Sequence, residues 1–76
     1  MIRVKLVAPF ELDGIDSDGC VDLPDGARVK DLLRRVRGFP PYARFFPVAV
    51  NGDQVKRSHC LKDGDTVVFI MPVSGG

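Results

Sequence analysis

The stretch T-V-V-F-I-M, Thr66 to Met71, is apolar on both of the faces that a β-strand presents. Side chains alternate along a strand, so Val67, Phe69 and Met71 fall on one side and Val68 and Ile70 on the other. Such a strand is expected inside its sheet, flanked by neighbours and covered by a helix on one face. The second face is then either an open apolar patch or one shielded by Phe45, Phe46 and the proline-rich loop around them.

Working back from this strand, Leu61 and the turn K-D-G-D (Lys62 to Asp65) lead into it. Earlier, V-A-V-N-G (Val48 to Gly52) is a strand ending in an Asn-Gly turn, and Gln54-Val55 start a short return. Between Gly38 and Pro47, G-F-P-P-Y-A-R-F-F-P holds three prolines that oppose a helix and aromatics that prefer cover, so an ordered loop is expected. Before that loop, Val29, Leu32, Leu33 and Val36 recur at helical spacing after the break P-D-G (Pro24 to Gly26). Asp25 is the expected N-cap and Gly38 the stop, which gives a helix of about three turns. The chain opens with Ile2, Val4, Leu6 and Ala8 alternating with Arg3 and Lys5, a strand that Pro9 ends. A turn over Glu11 to Gly19 then brings it back as a second strand, C-V-D-L (Cys20 to Leu23).

The order is strand, strand, helix, strand, strand. With the last strand inside, it lies parallel beside the first, and the helix crosses one sheet face. That arrangement is the α+β β-grasp, or ubiquitin-like, fold: a mixed sheet of four to five strands crossed by one main helix. Residues 1–71 are expected to form this domain and residues 72–76 a flexible Gly-Gly tail.

A chain of 76 residues makes one domain with a single thin core. Eleven Lys and Arg against ten Asp and Glu leave a net charge of +1, too small a field to gather a phosphate backbone, so nucleic acid is not an expected partner. Arg3 and Lys5 spoil the first residues as a signal segment, and no apolar run approaches a membrane span. A cytoplasmic protein without membrane contact is expected.

Little in the chain suggests catalysis of its own. Cys20 and Cys60 are far apart with no C-x-x-C, and free, partly buried thiols are expected. The turn D-S-D-G (Asp16 to Gly19) fails the calcium-loop pattern, because the first ligand position falls on Gly14. His59 and Cys60 are adjacent, yet neighbours in an extended segment point to opposite sides and no third orienting group is evident. No metal site is expected. Lys30, Arg34, Arg35 and Arg37 read as the wet side of the helix or as a docking face for an acidic partner.

The chain leaves its last strand as P-V-S-G-G, Pro72 to Gly76. Gly75 and Gly76 carry no side chain, so they can thread a narrow channel and take backbone angles closed to other residues. The terminal carboxylate becomes the useful group. A carboxylate is a poor electrophile, so a partner must activate it, most simply as a mixed anhydride with AMP.

V-A-V-N-G (Val48 to Gly52), L-K-D-G-D-T-V-V-F-I (Leu61 to Ile70) and P-V-S-G-G (Pro72 to Gly76) together resemble the MoaD family, the small subunits of molybdopterin synthase, related to the ThiS carriers of thiamin thiazole synthesis. L-P-D-G-A-R-V-K-D-L-L (Leu23 to Leu33) is similar to the family's entry into its helix, with Arg28 where a capping Thr is common. The resemblance implies a ubiquitin-like sulfur carrier rather than an enzyme. An adenylating enzyme of the MoeB or ThiF type would activate Gly76, using ATP and magnesium that this chain does not itself bind. A persulfide donor would then convert Gly76 to a thiocarboxylate, and a MoaE-type large subunit would present the pterin acceptor. Carried over, Gly76 bears the sulfur and Gly75 gives clearance. Pro72, Val73 and Ser74 lie along the tail, and the apolar surface near Phe69 and Met71 docks the partner. The alternatives are a ThiS-type carrier, a protein conjugated to lysines, a non-covalent ubiquitin-like binding module, and a thiol enzyme working through Cys60.

Overall fold

The computed structural model describes residues 1–70, the Arg44 side chain excepted. Five strands and one helix follow the expected order: β1 (Ile2–Val7), β2 (Cys20–Leu23), α1 (Val29–Arg35), β3 (Val48–Val50), β4 (Asp53–Val55) and β5 (Thr66–Phe69). The strands form one sheet in the order β2-β1-β5-β3-β4. The doubly apolar strand is therefore central, parallel to β1 through Leu6 opposite Val67, and antiparallel to β3 through Val48 opposite Phe69. This is the β-grasp arrangement.

Alternation explains which side chains are inside. Ile2, Val4 and Leu6 of β1, Val21 and Leu23 of β2, Val48 and Val50 of β3, and Val67 and Phe69 of β5 share one core with Val29, Leu32 and Val36. Val4, Val29, Leu32 and Val67 have no exposed surface at all. At roughly 1.5–3 kcal/mol for each fully buried aliphatic side chain, this single layer between sheet and helix is the main stabilising term of the domain.

The helix departs from expectation in length and in its start. It has seven residues, about two turns, because Val36 is already extended at φ −92° and ψ 138°. Its N-cap is Arg28, not Asp25. Asp25 instead lies 3.1 Å from the N-terminal ammonium of Met1. Arg28 has no side-chain acceptor to offer, so the first free N–H groups of the helix are met from elsewhere. Val29 N–H donates to the His59 carbonyl at 3.0 Å and Lys30 N–H to the Arg57 carbonyl at 2.9 Å. Asp31 closes the turn by accepting the Arg28 N–H at 2.8 Å.

The proline loop also departs from expectation. Pro41–Phe45 form a 3-10 turn with proline at its start, a position where the missing N–H costs nothing. The Asn-Gly turn behaves as read: Asn51 at φ +53° and Gly52 at φ +90° join β3 to β4. The segment between β1 and β2 is more than a turn, since Phe10, Leu12 and Ile15 within it pack against the core.

Candidate functional site

The end of β5 is where the sequence places the route to the tail. Val67 and Phe69 face the helix side, and Ile70, just beyond the strand, holds its N–H on the Pro47 carbonyl at 2.9 Å. Met71, Pro72, Val73, Ser74, Gly75 and Gly76, all expected to serve the tail or its docking, lie outside the described residues. Phe69, expected beside the docking surface, faces the helix side of the sheet. Only 5% of its surface is exposed, so its ring belongs to the core. The reason is the parity of the strand, which turns Phe69 inward with Val67.

The outward parity carries the open face. Across four strands, Val7, Val68, Ala49 and Gln54 stand side by side in register. Val7 is 44% exposed and Ile70 37%, with Val68 half-buried between them. Phe45 is itself 78% exposed. Val7 and Ile70 leave part of this face open, while Ala49 in the same row is buried, 7% exposed.

On the inner side, the aromatics expected to want cover form a cluster around Phe10. Its ring centroid lies 5.4 Å from Phe46, 6.0 Å from Phe69, and 6.1 Å from both Phe39 and Tyr42. Phe39 stacks on Phe69 at 5.0 Å. Phe10 was not singled out from sequence. Its only signal is an aromatic side chain beside Pro9 in an otherwise polar loop. Next to the cluster is a cleft of about 220 Å³ lined by Leu33, Phe39, Pro40, Pro41, Ala43, Arg57 and Phe69. The Arg57 guanidinium donates to the carbonyls of Ala43 at 3.3 Å and Phe46 at 3.4 Å, which holds the 3-10 turn against the cleft.

The remaining chemical groups are placed as follows. Cys60 is exposed and Cys20 half-buried, both as free thiols, so the expectation of partial burial holds for Cys20 alone. His59 is exposed beside Cys60. Among the described residues, no group of three or more His, Cys, Asp or Glu is placed to hold a metal ion, and no helix is long and apolar enough to cross a membrane. Lys30, Arg34, Arg35 and Arg37 are all exposed.

The acid-rich turn is committed to structure. Asp16 accepts the N–H groups of Asp18 and Cys20, each at 2.9 Å, and pairs with the Arg3 guanidinium. The Cys20 N–H leads in holding the Asp16 carboxyl below its ordinary value, with Arg3 and the Asp18 N–H adding to it. The hydrogen bonds that Arg3 donates to Asp16 and Asp22 push its own pKa up in turn.

The model of the ThiS family matches residues 8–76. The crystal structure of SAMP1 from Haloferax volcanii is similar with a TM-score of 0.60 at 21% identity, covering 99% of this chain and 98% of that one. No curated protein matches.

Proposed function

Because the chain belongs to the ThiS family, we propose that it is a sulfur carrier whose Gly76 carboxylate is adenylated by a partner and converted to a thiocarboxylate for molybdopterin synthesis. The observation that carries this reading is the extent of the family match, which runs through residue 76 and so includes the Gly75-Gly76 pair. Central strand β5 is held on both edges by β1 and β3, so the chain is firmly anchored up to the strand's end at Phe69.

The chemistry proceeds on the partners. An E1-like enzyme of the MoeB or ThiF type joins the carboxylate to AMP with release of pyrophosphate, using its own ATP and magnesium. The terminal sulfur of a persulfide then attacks the acyl carbon and expels AMP. A thiol of the partner opens the resulting acyl disulfide and leaves the thiocarboxylate. Gly75 and Gly76 present no Cβ to the channel through which this occurs. Pro72, Val73 and Ser74 guide the approach, Met71 joins the docking surface, and a MoaE-type large subunit holds the pterin acceptor.

The test is intact mass spectrometry after incubation with ATP, magnesium, a persulfide donor and activating enzymes of both types. A gain of about 16 Da at Gly76, oxygen exchanged for sulfur, is the expected result. Gly76→Ala is expected to fold normally, because the described core is complete without it, and to lose transfer by crowding the channel. An alanine variant still loaded and still transferring at full rate overturns the reading. The ThiS match favours a second reading in which the same thiocarboxylate serves thiazole synthesis. Offering the loaded protein to a MoaE-type subunit with pterin precursor, and separately to a thiazole-forming system, distinguishes the two by which one consumes the sulfur.

A further inference from the structure

The cleft beside the aromatic cluster lies on the helix side of the sheet, away from the open row of Val7 and Val68. At about 220 Å³ it is below the ~300–1,000 Å³ of ordinary small-molecule sites. It is nonetheless larger than the ~150 Å³ apolar cavity known to take a benzene ring. Its size therefore suits one large apolar side chain. Its walls suit the same occupant: Leu33, Phe39, Pro40, Pro41, Ala43 and Phe69 are apolar, and Arg57 adds the one charged group.

The surroundings are cationic. Helical rotation places Lys30 and Arg34 on the Leu33 side of α1, and Arg35 on the other. Lys30 is also tied to the cleft through its N–H on the Arg57 carbonyl. Lys30 and Arg34 are exposed, and no ion pair is formed by either among the described residues. Asp16, Asp18 and Asp22 are drawn to Arg3, which points outward on the opposite face of the sheet. The cleft wall is also built in advance, since Arg57 pins the carbonyls of Ala43 and Phe46 at the end of the 3-10 turn and Phe39 is stacked on Phe69.

We propose that this cleft and the adjoining Lys30–Arg34 edge form a docking site for an acidic protein segment that inserts one large apolar side chain. The anchor gains by burial in a preformed pocket, and the flanking carboxylates gain from cations that have no internal partner. A protein segment fits better than a nucleic acid, because the site is centred on an apolar cleft. The site is independent of the tail chemistry and stands or falls apart from it.

The probe is a capped peptide, Glu-Asp-Phe-Asp-Glu, titrated into the isotope-labelled full chain while amide resonances are followed. Saturable shifts at Leu33, Phe39, Ala43 and Phe69 are expected, with a Kd on the order of 1 mM. Replacing the peptide's Phe with Ala is expected to weaken binding about tenfold. The double variant Lys30→Glu, Arg34→Glu, both exposed and so expected to fold, is expected to weaken it roughly fivefold and to gain binding of Lys-Arg-Phe-Arg-Lys. Absence of saturable shifts at those amides up to about 10 mM peptide overturns the proposal. So does indifference to the peptide's Phe, or displacement of the peptide by a short DNA duplex bound more tightly at the same edge.

Discussion

Asp16 shows how much one carboxylate can organise. It accepts two backbone N–H groups and a guanidinium, which fixes the return of the chain into β2. Its lowered pKa fixes the sign of a pH effect: the stabilisation is fully present above the ordinary carboxylate value of 3.8 and is lost as pH falls through the lower folded value. Melting temperature measured from pH 6 downward is expected to fall in the acid range, and Asp16→Asn is expected to flatten that fall over the same window. Gly38 is a second position where a single residue decides. Its φ is +105°, and a Cβ there would meet the Glu11 carbonyl oxygen at 2.8 Å. Gly38→Ala is expected to cost about 1–3 kcal/mol, read in urea unfolding as a lower midpoint with unchanged slope. From the sequence, Gly38 read as a helix stop. Its actual role depends on a loop that arrives from far along the chain.

The helix is stabilised as much by its neighbours as by its own residues. Two turns are marginal alone. What holds α1 is its buried stripe and the segment 57–60, whose carbonyls receive its first N–H groups. This is why the Asp25 cap was unnecessary and why Arg28, with no acceptor, is tolerated. Arg28 nevertheless has the extended backbone of an N-cap, at φ −108° and ψ 167°, and Asp31 already supplies half of a capping box. Arg28→Thr is therefore expected to stabilise the domain by about 0.5–1 kcal/mol, seen as a rise of several degrees in thermal unfolding. The strands were legible because a period of two requires only local alternation. Strand β2 lies where the pattern C-V-D-L put it, and β5 lies where two apolar faces required it. The helix end was less legible because Val36 continues the apolar spacing after the backbone has left the helix.

Taken as one body, the domain is divided by its sheet into an outward face with paired acids and a small apolar row, and an inward side with the helix, the aromatics and the cleft. Phe10 joins the parts, its ring within 6.1 Å of four others drawn from the proline loop and β5. Phe10→Ala is expected to destabilise by about 2–4 kcal/mol, and the near-ultraviolet dichroism of the aromatic cluster is expected to weaken even where the fold persists. The amino-acid order alone determined the elements, their topology and the glycine pair on which the carrier reading rests, because alternation, turn chemistry and the absence of side chains are local properties. The tertiary structure alone decided that Phe69 turns inward, that the helix borrows its cap from residues 57–60, and that Phe10, Leu33 and Arg57 meet around one cleft. Those outcomes depend on contacts between segments far apart in the chain, and no local pattern encodes where such segments meet.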